Sequence, residues 1–291
     1  MDDAMRIADP RSRPSSADRS LDPCFVATRQ GHRLFVRDWG SGAPILFLAG
    51  WAMTSDLWGQ VMIALSDRGA RAVAYDRRGH GRSSDTGAID FDLLADDLAE
   101  VIDGLGLSDL TLVAQSPGAG EALRYVARHG QGRLARLVLV GASGPCPMRR
   151  DDNPDGLPPE AFAELARQMS GDLPAWVEAN AEPFAPGASR PTLGWLTAMV
   201  LSCSRRIAID FQAVNAGADF RAAAAALALQ TTVIHGDLDA SAPLDRTGRR
   251  YAALIAGAEL IVYEGAAHAL MVTHAQRLAE DIAARMGLRA A

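Results

Sequence analysis

Three side chains that can together activate a hydroxyl group lie far apart in the sequence: Ser116, Asp239 and His268. A serine hydroxyl is a poor nucleophile at neutral pH, so it requires a base within hydrogen-bond reach and an acid that orients this base. Histidine and a carboxylate commonly fill these two roles. The three residue types therefore indicate nucleophilic chemistry at an acyl carbon, provided that the fold brings them together.

Ser116 lies in a stretch that is typical of a nucleophile elbow, a sharp turn that joins a strand to a helix. The apolar run 110–114 predicts a buried parallel strand, and a helical pattern begins at Glu121. Ala114 and Gly118, two residues before and after the serine, are small enough for strand and helix to cross closely. A Ser-Pro-Gly stretch also occurs in ordinary turns, so the elbow alone does not establish a catalytic serine.

The pattern of elements predicts an α/β fold with a mostly parallel, twisted sheet and helices on both faces. Strand-like and helical runs alternate over residues 24–144, and the alternation resumes over residues 228–291. Residues 145–227 contain helical segments punctuated by Pro and Gly, which predicts a helical cap inserted over one edge of the sheet. Residues 1–23 are polar and predict a disordered tail.

The predicted topology brings the three residues to one edge of the sheet. Asp239 follows the strand 231–235, and His268 follows the strand 259–263. The carboxyl ends of parallel strands lie at the same edge of an open α/β sheet, where ligands bind. Rivals for the two supporting roles exist, namely Asp237 for the acid, and His80, His235 and His274 for the base.

The composition limits the partners and cofactors that we expect. The chain has 291 residues, a net charge of -6 and no basic stripe, so neither nucleic acid nor an anionic membrane is an expected partner. Its apolar runs are short, and residues 1–23 contain no apolar core of a secretory signal. Three scattered cysteines indicate reduced thiols and a cytoplasmic protein. No metal-ligand spacing, P-loop or dinucleotide fingerprint appears, so we expect no metal and no cofactor.

From about residue 28 to its C-terminus the chain resembles the α/β-hydrolase superfamily, and within it the cofactor-free non-heme haloperoxidases and aryl esterases. The resemblance is carried by residues 38–42 (DWGSG), 76–83 (DRRGHGRS), 125–130 (YVARHG), 153–158 (NPDGLP) and 235–239 (HGDLD). It implies an α/β-hydrolase fold and a triad of Ser116, Asp239 and His268, with Asp237 holding a turn. It also implies that the Trp51 backbone N–H belongs to the oxyanion hole, and that the serine supports perhydrolysis as a side activity.

Two positions depart from the pattern of the resembled group. Ala49-Gly50 stands where the group usually has His-Gly, and Pro117 stands where the residue after the nucleophile normally supplies an oxyanion N–H. Proline has no backbone N–H, so this donor is absent. Loss of one such donor typically lowers the rate by on the order of a hundredfold to a thousandfold. The side chain of Gln115 is a candidate substitute.

Aromatic side chains of the predicted cap are candidates for the lining of a substrate pocket, because such pockets are mostly apolar. Trp176 and Trp195 are the two substrate-binding candidates, although each also fits an ordinary core position. The pairs 149–150 and 205–206, all arginine, would meet a carboxylated substrate only if they faced the site. Solvated positions suit these arginines better.

The residues fit three activities on a small-molecule substrate. The triad favours a serine hydrolase that acts on an ester or lactone through an acyl-enzyme. Pro117 leaves open a lyase, isomerase or cyclase that uses His268 as a general base, and also a protein that only binds or senses a small ligand. The sequence does not specify the substrate or the oligomeric state, and a homo-oligomer is compatible with it.

Overall fold

A computed structural model describes residues 24–289, and the predicted tail at residues 1–23 lies outside these. The strands within this range are β1 (Phe25–Ala27), β2 (Arg33–Gly40), β3 (Ala43–Leu48), β4 (Ala70–Tyr75), β5 (Leu110–Gln115), β6 (Leu134–Val140), β7 (Gln230–Gly236) and β8 (Glu259–Tyr263). They form one sheet in the order β1-β2-β4-β3-β5-β6-β7-β8. The pairs β1–β2 and β2–β4 are antiparallel, and the other pairs are parallel. This confirms the predicted mostly parallel sheet.

Helices connect the strands and cover both faces of the sheet. In chain order they are α1 (Gly59–Ser66), α2 (Phe91–Gly104), α3 (Gly118–His129), α4 (Pro159–Gly171), α5 (Leu173–Phe184), α6 (Arg190–Leu201), α7 (Arg205–Gly217), α8 (Arg221–Ala225), α9 (Gly248–Leu254), α10 (Leu270–Thr273) and α11 (Ala275–Met286). Two short 3-10 helices, Ser55–Trp58 and Leu244–Arg246, precede α1 and α9. None of the helices between residues 24 and 289 is both long and apolar enough to cross a membrane.

Side chains of each central strand alternate between two hydrophobic cores. Ile45 and Phe47 of β3 pack in one core with residues of α1 and α11, whereas Leu46 and Leu48 pack in the other core with residues of α2 and α3. The alternation follows from the two-residue period of a strand. Because both faces of the sheet are buried, its central strands are nearly uniformly apolar, and this is the pattern that predicted them.

Five helices, α4 to α8, lie between β6 and β7, and we call residues 159–225 the helical insertion. Buried residues of α5, α6 and α7 belong to the same core as α1 and α11. Four of these helices match the helical segments that the sequence predicts at 159–168, 174–181, 193–202 and 206–215. The short α8 is an alanine-rich stretch that sequence periodicity did not distinguish, because four of its five residues are alanine.

Candidate active site

Ser116 occupies a strained turn between β5 and α3. Its backbone φ is 55°, in the left-handed region that residues with a side chain rarely adopt. Three hydrogen bonds hold it there: its N–H donates to the Val140 carbonyl at 3.2 Å, and its carbonyl accepts from the N–H groups of Ala119 at 3.1 Å and Ser143 at 3.2 Å. A Cβ at Gly118 would lie 3.1 Å from the Leu48 side chain, so a small residue is required where α3 crosses the sheet. Such strain at a serine is typical of a functional turn.

Asp239 and His268 form a buried acid–base pair. Asp239 Oδ2 lies 2.6 Å from His268 Nδ1, and its Oδ1 accepts from the Ala242 N–H at 2.7 Å. Burial of the carboxyl group opposes ionisation, but His268, His235 and the Ala242 N–H together hold the pKa of Asp239 well below its usual range. An ionised Asp239 assigns the proton to His268 Nδ1. His268 Nε2 is then free to accept a proton from a hydroxyl group.

Gln115, rather than Ser116, is hydrogen-bonded to this free nitrogen. Gln115 Nε2 lies 2.9 Å from His268 Nε2, and the amide must be the donor because Nε2 carries the lone pair. The Ser116 hydroxyl makes no hydrogen bond to any residue that the structure describes. Catalytic hydrogen bonds in ligand-free enzymes are often long and tighten only when substrate binds. The Ser116 hydroxyl must therefore replace the Gln115 amide as the hydrogen-bond partner of His268 Nε2 before it can be activated.

The position of the Gln115 side chain depends on Gly50. Gln115 is fully buried, and a Cβ at residue 50 would collide with its Oε1 atom. This Oε1 atom has no hydrogen-bond partner among residues 24–289. The amide group is thus packed in the space between the end of β3 and His268, where only its Nε2 atom makes a polar contact.

The backbone after Gly50 offers a free donor to the same space. The Trp51 N–H makes no hydrogen bond with any other residue in the described part of the chain. The preceding carbonyl, that of Gly50, accepts from Arg77 Nη1 at 3.0 Å, and Arg77 is itself in a buried ion pair with Glu121. Arg77 therefore fixes the orientation of the peptide group that carries the free N–H, because the Gly50 carbonyl and the Trp51 N–H belong to the same planar unit. Pro117, at the N-cap of α3, has no N–H to add.

Ser116 and His268 open into a cavity of about 320 Å³ beneath the helical insertion. Trp51, Gln115 and Pro117 line it on the sheet side. The insertion contributes apolar groups and uncharged polar groups, which include Trp176, Phe184, Leu196, Val200, Asn180, Thr197, Gln212 and Asn215. No Asp, Glu, Lys or Arg side chain within residues 24–289 lines the cavity, so His268 is its only titratable wall group.

Trp195 does not lie where we expected. Trp176 lines the cavity and packs edge-to-face on Trp51 with a centroid distance of 5.6 Å. Trp195 is 41% exposed and is not part of the cavity wall. The physical reason is helical periodicity, because the side of α6 that faces the cavity presents Leu196 and Val200, four residues apart, whereas Trp195 lies about 100° away around the helix. The substrate-binding expectation for Trp195 is therefore corrected.

The rival acid and bases lie outside the cavity wall. Asp237 is exposed and accepts from the Gly265 N–H at 2.7 Å, so it holds a turn. His235 lies behind Asp239, with its Nε2 atom 2.7 Å from the Ala242 carbonyl. His80 is buried, and this burial together with the charge of Arg77 lowers its pKa to about 4. His274 contacts the ring of Tyr263, and none of the four arginines at 149–150 and 205–206 lines the cavity.

Sequence reasoning missed several polar wall groups. Ser143, Asn180, Gln212 and Asn215 are ordinary surface residue types in sequence. The one signal was the spacing of Ala208, Gln212 and Asn215, four and three residues apart, which places them on one face of a helix. Nothing in that spacing showed which way the face would point.

Comparison with known proteins agrees with this fold. Residues 43–209 match the family model of the alpha/beta hydrolase fold. The chain therefore belongs to the alpha/beta hydrolase family. Within that family its relatives are non-heme haloperoxidases and esterases, which confirms the resemblance found in the sequence.

Three relatives show how far the similarity extends. The non-heme chloroperoxidase CPO-A1 of Kitasatospora aureofaciens is 40% identical over 258 residues, which cover 84% of this chain and 92% of the relative. The bifunctional esterase/perhydrolase DCH of Acinetobacter calcoaceticus is 34% identical over 271 residues, or 89% and 98% of the two chains. The solved structure of the esterase EaEST from Exiguobacterium antarcticum has a TM-score of 0.87 at 27% identity and covers 90% of this chain and 98% of its own.

Proposed function

We propose that the protein is a serine hydrolase that acts on an ester or lactone of a small organic molecule. Membership of the family and the relatives named as esterases support ester hydrolysis in general terms. The observation that carries the finer proposal is the arrangement of Ser116 on its strained turn and the Asp239–His268 pair around one cavity. A hydroxyl, an unprotonated base and an orienting carboxylate are the parts that acyl transfer requires.

The proposed reaction proceeds in two halves. His268 Nε2 takes the Ser116 proton as Oγ attacks the acyl carbon, and Asp239 stabilises the imidazolium that forms. His268 then gives the proton to the alcohol oxygen, which leaves, and the acyl group stays on Ser116. In the second half a water molecule loses a proton to His268 and attacks the acyl carbon. Ser116 Oγ leaves with that proton, and the carboxylic acid is released.

Gln115 supplies the oxyanion donor that Pro117 lacks in this proposal. Before reaction its amide donates to the lone pair of His268 Nε2 at 2.9 Å. The Ser116 hydroxyl displaces the amide from this lone pair before proton transfer, so the amide has no partner when negative charge appears on the substrate oxygen. The amide then turns to the oxyanion beside the Trp51 N–H. The N-terminus of α3 adds a partial positive charge to the same region.

Perhydrolysis follows from the same intermediate. If hydrogen peroxide replaces water in the second half, the acyl-enzyme yields a peracid. The name of the Acinetobacter relative, an esterase/perhydrolase, supports this as a side activity.

One observation favours a second candidate, namely a lyase, isomerase or cyclase in which His268 acts as a general base directly on the substrate. In the structure the Ser116 hydroxyl is not bonded to His268. Such an enzyme would lose activity on His268→Ala but would retain activity on Ser116→Ala. No observation on the described residues favours a protein that only binds a ligand.

The two candidates are separated by ester kinetics. We expect the wild-type protein to hydrolyse short p-nitrophenyl esters. In Ser116→Ala and in His268→Ala we expect a loss of about 10⁶-fold in kcat, because loss of either residue removes the function of the whole triad. Circular dichroism spectra of both variants control for folding. Unchanged ester turnover in a folded Ser116→Ala variant would refute the serine mechanism.

A further inference from the structure

The face of α7 that borders the cavity presents two carboxamides, Gln212 and Asn215. We propose that these amides bind a neutral hydrogen-bonding group, an amide or a hydroxyl, on the acyl part of the substrate. The inference deepens the proposed function and rests on it, because it names the substrate class of the same site. The site would accordingly discriminate against acyl chains that end in a carboxylate.

Helix α7 is anchored to the core at three points, which fixes the amides relative to Ser116. The Ser204 N–H, before the first turn of α7, donates to the Gly79 carbonyl at 2.7 Å. The indole Nε1 of Trp51 donates to the Ala208 carbonyl at 2.7 Å. The Ser143 hydroxyl donates to Asn215 Oδ1 at 3.3 Å, and the backbone of Ser143 is itself bonded to that of Ser116. A group on this helix face is therefore held at a set distance from the nucleophile.

The hydrogen-bonding capacity of the two amides is largely unused. A carboxamide has two N–H donors and an acceptor oxygen. The Gln212 carboxamide makes no hydrogen bond to any residue in the part of the chain described, and the Asn215 carboxamide uses only its oxygen, so its two N–H donors have no protein partner there. Both side chains are half-buried at the cavity wall. Polar groups withdrawn from bulk water normally find partners, and here a ligand with an acceptor and a donor supplies them.

The charge of the wall decides between a neutral and an ionised ligand group. Moving a carboxylate out of water is unfavourable unless it is paired with a cation as well as hydrogen-bonded. No lysine or arginine from residues 24–289 lines the cavity, and the chain has a net charge of -6. A neutral amide or hydroxyl loses little when carboxamides replace its water partners. The remaining wall is apolar and suits the methylene groups between this ligand group and the ester.

The geometry assigns these amides to the acyl side of the substrate. The leaving oxygen takes its proton from His268, so the leaving group lies against the wall that holds His268. The Phe184 ring packs on this wall, with its centroid 5.4 Å from that of the imidazole. Helix α7 instead contacts Trp51, the residue whose free N–H would bind the acyl oxygen.

Three p-nitrophenyl esters of similar length test the inference: the 4-acetamidobutyrate, the heptanoate and the monoester of adipic acid. The first carries an amide where the second has methylenes, and the third carries a terminal carboxylate. We expect kcat/KM of the wild-type protein to be about a hundredfold higher for the acetamido ester than for the adipate ester. In Gln212→Leu we expect the acetamido-to-heptanoate ratio of kcat/KM to fall by about tenfold, the value of one hydrogen bond. Gln60→Leu, which changes an exposed glutamine of α1, should leave both ratios unchanged.

A ratio that stays within about twofold of the wild-type value in a folded Gln212→Leu variant would overturn the inference. A binding measurement separates this outcome from failure of the serine mechanism. Ethyl 4-acetamidobutyrate and ethyl heptanoate are titrated into Ser116→Ala, with intrinsic tryptophan fluorescence, to which Trp51 and Trp176 of the cavity wall contribute, as the signal. If Gln212→Leu, added to Ser116→Ala, selectively weakens binding of the acetamido ester while the wild-type protein turns over no ester, the inference stands and the proposed hydrolysis fails.

Discussion

Replacement of Gln115 by methionine tests whether its amide takes the place of the donor that Pro117 lacks. Methionine has a similar volume and flexibility, so Gln115→Met removes the N–H groups while it fills the buried space beside Gly50. The Trp51 N–H would then be the remaining oxyanion donor. Removal of one such donor costs on the order of 3–4 kcal/mol in the transition state, which corresponds to a hundredfold to a thousandfold in kcat. We expect KM to change little, because this interaction forms only in the transition state.

The assay is steady-state hydrolysis of p-nitrophenyl butyrate by Gln115→Met, by Pro117→Ala and by the double variant. Pro117→Ala restores the N–H that an elbow normally supplies, so we expect a higher kcat in that variant and at least a tenfold recovery when it is added to Gln115→Met. The reasoning would be wrong if Gln115→Met, in a folded protein, had the kcat of the wild type. A higher kcat would contradict it equally, since the amide would then act only as a competitor of Ser116 at His268.

Three further predictions concern stability and the cavity wall. Glu121→Gln leaves the buried Arg77 without its counter-charge, so we expect a loss of about 3–5 kcal/mol in the free energy of unfolding, measured by urea titration. His80 has a pKa of about 4 in the folded protein, below its unfolded value, so the unfolded state binds more protons between these two values. The free energy of unfolding therefore falls by about 3 kcal/mol through His80 as the pH falls from 7 to 4. His80→Asn should make the unfolding free energy less dependent on pH over this interval, and an equally steep dependence would refute the assignment. Trp176→Ala should raise KM for aryl esters several-fold, whereas Trp195→Ala should leave KM unchanged. Equal effects of the two substitutions would contradict the assignment of Trp176, and not Trp195, to the cavity wall.

Much of the fold was readable from the sequence because both faces of the central sheet are buried. Runs such as 110–114 are apolar without alternation, so they marked the strands and, through them, the loops that carry Ser116, Asp239 and His268. The convergence of these loops is a property of parallel topology and required no knowledge of side-chain packing.

The cavity wall was less predictable because it depends on how helices rotate and cross. Trp195 and Leu196 are adjacent apolar residues of α6, and only packing on the core decides which of them faces inward. The hydrogen bond between Gln115 and His268 was also not predictable from the sequence. The Gln115 side chain fits there only because Gly50, 65 residues earlier in the chain, has no Cβ. Long-range contacts of this kind leave no local pattern in sequence.

The central claim, that Ser116 is an activated nucleophile, is tested most directly by intact-mass spectrometry after incubation with a fluorophosphonate. The account predicts one covalent adduct per chain, mapped to Ser116 by peptide sequencing. The adduct should be absent in Ser116→Ala, and its formation should be strongly slowed in His268→Ala. A folded protein that hydrolyses p-nitrophenyl esters yet forms no adduct, or forms it on another residue, would contradict the account.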